Sequence, residues 1–219
     1  MAIKQNDFIE IEFTGKANNE IFDTTNKQEA KQMSSNIKTE DIKPIIISVG
    51  NQMLLKAFDD TLKEKEINKK YSIHLKPEQA FGKRNPALIK TIPLKIFHEK
   101  DMNPAPGMTF QMDNYMVKIL SVSGGRVITD FNNPLAGKEI DYDFKILKKI
   151  TDNKEKINAL QDFFFKKRFD FEINNKNKKV IFKDEKIKPL VQMMAQKFKD
   201  MIGMDFVVEK PKEEKEEKK

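Results

Sequence analysis

The 219-residue sequence predicts an α+β protein, and three observations point there. Residues 7–17, DFIEIEFTGKA, alternate polar and apolar side chains, the two-residue period of a half-buried strand. Residues 51–66, NQMLLKAFDDTLKEKE, switch to helical spacing, with Leu54, Phe58 and Leu62 recurring every four residues on one stripe. From Arg84 the chain returns to short apolar runs divided by proline and glycine, which reads as a compact all-β insert.

The elements follow in order. The strand at 7–17 turns at Asn18-Asn19 into a second, NEIFDTT (19–25). Residues 26–41 are polar and read as an exposed loop with little helix. KPIIISVG (43–50) is a β-branched strand punctuated by Gly50, and lysines in the last turn of the 51–66 helix suit its negative end. YSIHLKPEQAFG (71–82) is a strand, a turn at Lys76-Pro77-Glu78 and a closing Ala80-Phe81-Gly82. The insert carries the runs MTFQM, YMVKILSV and RVITDF, the last two flanking a hairpin turn at Ser123-Gly124-Gly125, where glycine supplies positive φ without steric cost. NNPLAGK (132–138) leads into a final strand, EIDYDFKILKKI (139–150).

Residues 151–208 read as a separate unit. A helix at 155–169 and a strand–turn–strand at 169–184 come first. A helix at 187–203 ending on Gly203 and a last strand at 204–210 follow. The tail PKEEKEEKK is low-complexity and charged, and disorder is expected for it.

Composition narrows the chemistry. There is no cysteine, so no disulfide, thiolate site or cysteine nucleophile. The two histidines, His74 and His98, are too few for a histidine-rich metal site. His74 alternates with Ile73 and Leu75 and is expected to face away from the core. His98 is expected in a loop. The N-terminus has no apolar signal core, and no run of 18 apolar residues exists, so a cytoplasmic protein with no membrane partner is expected. The formal charge is +7, but lysine and glutamate are interspersed, which argues against a specific nucleic-acid surface.

NEIFDTT sets Phe22 beside Asp23. Alone, that pair fits a surface turn as well as an apolar pocket with one polar group. The order of the motifs separates the two. EFTG, IFD, VGN with LLKAFDDTL, KPEQAFG, a β insert, FNNPLAGK and IDYDF together resemble the FKBP-type peptidyl-prolyl isomerases over about residues 3–150. The insert after AFG and the NNPLAGK re-entry look like the SlyD-like subgroup with its insert-in-flap chaperone domain. The C-terminal extension resembles that of long archaeal members.

The resemblance implies an antiparallel sheet wrapped around a short helix, with an apolar active site between them. It implies an isomerase domain at 1–83 and 130–151, an insert-in-flap domain at 84–129, a small α/β domain at 152–210 and a charged tail at 211–219. It places Phe13, Phe22, Asp23, Ile45, Leu54, Leu55, Phe58, Phe81 and Tyr142 at the pocket. Phe13 and Phe81 stand where the family usually has tyrosines, and losing both hydroxyls removes two hydrogen-bond donors. The lysine/glutamate tail does not match the histidine-rich, nickel-binding tail of many bacterial SlyD-like proteins, so no metal site carries over, and no cofactor is expected.

The chemistry suits such a pocket. An X–Pro bond isomerises slowly because its barrier, about 18–20 kcal/mol, is largely amide resonance. The twisted transition state is less polar than the planar amide. An apolar cavity therefore favours it over the ground state, and no nucleophile is needed.

In the insert, Met102, Met108, Met112 and Met116 lie among Leu88, Ile89, Ile92, Leu94, Ile96, Phe97 and Phe110. That is more apolar material than so small a unit is expected to bury, and methionine makes adaptable surfaces. The expectation is an exposed groove that binds unfolded or nascent chains containing X–Pro bonds, built from Leu88, Ile89, Ile92, Phe97, Met102, Met108, Phe110, Met112 and Met116. Two readings remain open beside a chaperone-isomerase: a binding chaperone with weak catalysis, and a ribosome-associated folding factor. The C-terminal unit, with its Phe163–Phe165 run, is open to dimerisation, docking on the isomerase domain or client binding, and the family resemblance favours a homodimer.

Overall fold

The computed structural model describes residues 2–33, 39–112 and 115–209, so the tail at 211–219 lies outside the described residues. β1 (Phe8–Ala17) and β2 (Glu20–Thr24) are joined by Asn18-Asn19, both at positive φ (51° and 64°). Two such residues make the tight turn whose twist matches a hairpin. α1 (Lys27–Ala30) is one turn, capped by Asn26 Oδ1, which accepts from the Gln28 N–H at 2.8 Å. β3 (Ile45–Ser48) pairs antiparallel with β1, Ile45 opposite Ile11 and Ser48 opposite Phe8.

α2 spans only Lys56–Thr61, shorter than the helix expected at 51–66. Gly50 and Gln52 take positive φ (78° and 57°), so the first residues form a turn, and Glu64 at 64° ends the element. The lysines at 63 and 65 therefore lie beyond the helix, whose last turn holds no basic residue. β4 (Lys70–Leu75) and a 3₁₀ turn (Pro77–Gln79) follow.

The insert contains β5 (Ile89–Pro93), α3 (Leu94–His98), β6 (Thr109–Met112), β7 (Tyr115–Ser123) and β8 (Arg126–Asp130), with sheet order β5-β8-β7-β6. It is therefore not all-β. Pro93, at φ −59°, ends β5 and opens α3, a position where its missing N–H costs nothing. His98 closes this helix rather than sitting in a loop. Gly124 and Gly125, at φ 56° and 73°, make the β7–β8 turn.

β9 (Ile140–Ile150) completes the main sheet, order β2-β1-β9-β4 with β3 also on β1. Its alternate residues Ile140, Tyr142, Phe144 and Ile146 are buried. α4 covers only Asn153–Leu160, capped by Asp152, whose carboxylate accepts from the Glu155 N–H at 2.8 Å. It then widens into a π-helical turn, Gln161–Phe165, stopped by Lys166 at φ 54°. β10 (Phe171–Asn174), β11 (Lys179–Phe182), α5 (Lys188–Ile202) and β12 (Asp205–Val208) form a three-stranded layer, order β10-β11-β12. β11 and β12 run parallel and are connected through α5, around Phe182, Phe198 and Phe206. Phe164 and Phe165 both reach Phe198, with ring centroids at 5.4 and 5.7 Å. Phe163 instead packs edge-on against Phe164 under the Lys166 ammonium.

The chain divides into two compact units. One holds residues up to Gly15, Ile21–Ile73 and the chain from Tyr142 onward; the other holds Lys16–Glu20 and His74–Asp141. The C-terminal elements thus fall in the same unit as the first strands. α4 packs on β3, and Lys156 lies 5.8 Å from the centre of the Phe8 ring. Among the described residues no helix is long and apolar enough to cross a membrane.

Candidate active site

The site grows from the end of the β1–β2 hairpin. The Phe13 N–H donates to Thr25 Oγ1 at 2.8 Å, and the Thr25 N–H donates back to the Phe13 carbonyl at 2.9 Å. The Thr24 hydroxyl donates to the same carbonyl at 3.1 Å and meets the Thr14 hydroxyl at 2.8 Å. All of these threonines are buried. The pair that follows Asp23 therefore fixes β2 against β1 and sets Phe22 and Asp23 relative to Phe13.

Four aromatic rings converge there. Phe58 (1% exposed) and Tyr142 (4%) stack with centroids 4.6 Å apart. Phe13 meets both edge-on, at 5.8 and 5.9 Å, and Phe22 meets Tyr142 edge-on at 5.9 Å. Phe144 extends the cluster to Phe58 at 5.1 Å, and Tyr71 stacks on Phe144. Edge-to-face pairs set positive ring edges against negative faces, a rigid arrangement for so apolar a wall.

Gly15 makes the approach of the rings feasible. A Cβ there would lie 2.7 Å from Tyr142 Cε1 and 2.8 Å from Phe22 Cζ. Asp59 does the equivalent for the turn before α2. Buried at 2% exposure, its carboxylate accepts from the Gly50 N–H at 2.7 Å and the Gln52 N–H at 2.8 Å. That turn carries Leu54 and Leu55, both half-buried.

Asp23 sits at the rim. Its side chain touches solvent, yet protein crowds it enough that incomplete hydration raises its pKa, opposed by a backbone hydrogen bond at Thr24. The Tyr142 phenol is pushed well above its usual range, first by burial and second by the Asp23 carboxylate. It stays protonated, so its hydroxyl is a donor close to that acid.

The structure therefore brings Phe13, Phe22, Phe58 and Tyr142 together, with Asp23 near Tyr142. Ile45 opposes Ile11 on β1, and so shares the sheet face of Phe13 two residues on. It also borders a cavity of about 750 Å³ between β3 and α4, lined by Lys43, Glu155, Asp162, Lys166 and Arg168 among others. That cavity is a mixed-charge groove, away from the ring cluster. Phe81 belongs to the second unit, half-buried after the Pro77–Gln79 turn.

Gly15, Asp59, Thr24, Thr25, Phe144 and Tyr71 were not among the expected site residues. A glycine inside an alternating strand is a sequence signal for close approach, and it is the one that was available. Asp59 has none, because Asp-Asp in a short helix looks solvated.

In the insert, Phe97 is 2% exposed and forms the core with Ile119 and Val127. Ile92, Leu94, Met102 and Phe110 pack against it, half-buried. The expected client surface is corrected there: a unit this small needs its large aromatic inside, so Phe97 offers no surface. Ile89 and Met112 are half-buried. Leu88, Met108 and Met116 are exposed, joined by Ile96, Ile128 and Tyr115, the last at 60%. His74 is exposed, its Nδ1 2.7 Å from Asp141 and its Nε2 3.5 Å from Glu139. Its pKa is raised by the hydrogen bond with Asp141 foremost.

Comparison with known proteins relates the sequence to a family. Residues 1–95 match the model of the FKBP-type peptidyl-prolyl cis-trans isomerase, and residues 90–135 that of the FKBP26 IF domain. A short-type peptidyl-prolyl cis-trans isomerase of Methanocaldococcus jannaschii is 28% identical over 144 residues, 66% of this chain and 92% of the relative. A probable FKBP-type 16 kDa peptidyl-prolyl cis-trans isomerase of Pseudomonas fluorescens is 31% identical over 113 residues, 50% of this chain and 75% of the relative. The SlyD isomerase of Helicobacter pylori is 26% identical over 150 residues, 67% and 73% of the two chains. The chain belongs to the family of FKBP-type peptidyl-prolyl cis-trans isomerases.

Proposed function

We propose that the ring cluster is the floor of the prolyl pocket and that the insert is a chaperone module supplying it with unfolded chains. The observation that carries the first part is the Phe58–Tyr142 stack with Phe13 and Phe22 edge-on beside it. A proline ring laid on that wall loses water while its amide twists, and the less polar twisted form gains most. Asp23 supplies the polar anchor at the rim, with Ile45, Leu54 and Leu55 as further apolar walls. Phe81 is assigned to the pocket on the family resemblance alone.

The insert part rests on the exposed Leu88, Met108, Met116, Tyr115 and Ile128. Apolar side chains on a small unit favour binding of extended apolar segments. Capture raises the local concentration of X–Pro bonds near the pocket. Clients are unfolded or nascent polypeptides in the cytoplasm, with no cofactor and no nucleic acid. A homodimer through the C-terminal segment is supported by Leu190 and Met193 on α5, exposed at 40% and 72%. A catalytically weak binding chaperone is the second reading, favoured by the missing hydroxyl at Phe13.

The test is refolding of a protein limited by proline isomerisation, with the full chain, a version lacking 84–129, and the double variant Asp23→Ala, Phe58→Ala. Acceleration by the full chain alone supports both parts. No acceleration by the full chain leaves the binding chaperone.

A further inference from the structure

The insert leaves and rejoins the chain through a neck in which side chains replace backbone pairing. Its sheet ends where Ile89 faces Asp130, and one more backbone bond follows, Phe131 N–H to the Leu88 carbonyl at 3.0 Å. There the two chains diverge, and Asn132 bridges them. Its Oδ1 accepts the Asn85 N–H at 2.8 Å, and its Nδ2 donates to the Asn85 carbonyl at 3.0 Å. The side-chain amide thus pairs with Asn85 as a strand's peptide group would, an arrangement that needs a donor and an acceptor on one planar group.

Asp130 holds that amide in place. Its Oδ1 accepts from Asn132 Nδ2 at 2.7 Å and from the Asn132 N–H at 3.0 Å. Its Oδ2 takes the Arg84 guanidinium, a charge-assisted bond from the incoming chain. Asp130 and Asn132 are both buried, so water replaces none of these bonds cheaply. Burial alone would raise the Asp130 pKa, but the Asn132 and Arg84 hydrogen bonds outweigh it and hold the carboxyl below its usual range. Beyond Asn132 the ladder resumes with the Gly137 N–H on the Gly82 carbonyl at 2.8 Å, next to Phe81. Hydrogen bonds therefore tie the two chains at both ends of the neck, beside the insert's sheet and beside the Phe81 turn.

We infer that the Arg84–Asn85–Asp130–Asn132 clasp positions the client-capturing insert against the turn carrying Phe81, so that turnover of protein substrates requires a stiff neck. The inference rests on the proposed chaperone role of the insert. Asn132 is a positioning residue: it touches no substrate and acts through the neck. A flexible neck leaves capture intact but spreads the captured segment over many orientations, few of them productive.

The experiment uses the full chain carrying Asn132→Ala or Arg84→Met. Arg84 has a half-exposed side chain, so its variant folds even where the first does not. Activity is measured on a proline tetrapeptide and on an unfolded, proline-limited protein. The clasp predicts tetrapeptide kcat/KM within about twofold of the parent, protein-substrate KM within about twofold, and protein-substrate kcat down about tenfold. Because the chain has no cysteine, paired spin labels go on Ser123→Cys and Lys76→Cys, both exposed. Their distance distribution broadens in the variants. Unchanged protein-substrate kcat overturns the clasp. So does a fall in kcat with the distribution as narrow as in the parent. The 84–129 deletion separates the two layers: if it keeps full protein-substrate activity, the chaperone reading itself fails, whatever the neck variants do.

Discussion

Gly15→Ala is the sharpest test of the ring cluster. The added methyl would sit 2.7 Å from Tyr142 Cε1 and 2.8 Å from Phe22 Cζ. Both contacts are roughly 0.7–0.8 Å inside the ~3.5 Å approach of two carbons. Tyr142 has no retreat, since it stacks on Phe58 at 4.6 Å and both rings are buried. Phe22 is half-buried and can swing outward, away from Tyr142. Overpacking of this kind costs about 1–3 kcal/mol. Restricting the unfolded chain returns about 0.4–1 kcal/mol. At the midpoints of these ranges the net loss is roughly 1.3 kcal/mol, which lowers Tm by about 3–5 °C in a chain of this size. The displaced Phe22 removes part of the wall, so kcat/KM on a proline tetrapeptide falls at least about tenfold, worth ~1.4 kcal/mol at the transition state. Protease-free isomerisation kinetics and a thermal melt on one preparation read both. Activity within twofold of the parent, at unchanged Tm, refutes the packing argument and the placement of the pocket on these rings.

Three further outcomes follow from the same geometry. Asp59→Ala strips two N–H groups of a buried carboxylate and should cost about 2–4 kcal/mol in a denaturant titration, with activity reduced because the Leu54–Leu55 turn loosens; a loss under about 0.5 kcal/mol would contradict the bracing role. Asp23→Asn should leave Tm unchanged well below pH 3.8 and raise it at neutral pH. The folded-state pKa of Asp23 is raised, so ionisation destabilises the parent as pH climbs through that value, and asparagine has no charge to desolvate; a variant less stable than the parent at neutral pH reverses the sign and refutes it. Removing residues 152–219 uncovers the β3 and Phe8 surface under α4. It should lower Tm as well as alter light-scattering mass, and a truncated chain that melts like the parent would show that α4 contributes nothing to the main sheet.

Much of this was legible where a pattern had only one physical reading. The alternation in 7–17 located β1, because a period of two on a buried face has no helical equivalent. The aromatic positions Phe13, Phe22, Phe58 and Tyr142 followed from motif order and do meet in space. The length of α2 was not legible, because the Leu54–Phe58–Leu62 stripe continues into a turn whose direction is set by Asp59 and by positive φ at Gln52. α3 was hidden behind Pro93, which reads as a breaker but here starts a helix. Tyr115 and Ile128 were missed on the insert, and Phe97 was misplaced on its surface, since apolar runs do not say which members the core takes. Asn132 was read only as part of the NNPLAGK re-entry. Its pairing with Asn85 spans 47 positions, beyond any local pattern.

The place of the insert in the chain also bears on how the protein is made. β9 lies between β1 and β4 in the main sheet, yet it is synthesised after the whole insert. The insert's core of Phe97, Ile119 and Val127 is contiguous in sequence, so it can close first on a growing chain. Once the neck has formed, the stretch that must loop back for Ser72 to reach Asp143 is no longer 71 positions of free chain. Only the segments flanking the neck stay loose, which trims the closure entropy by roughly 1 kcal/mol. A nascent chain would therefore display a finished insert before its own isomerase sheet is complete.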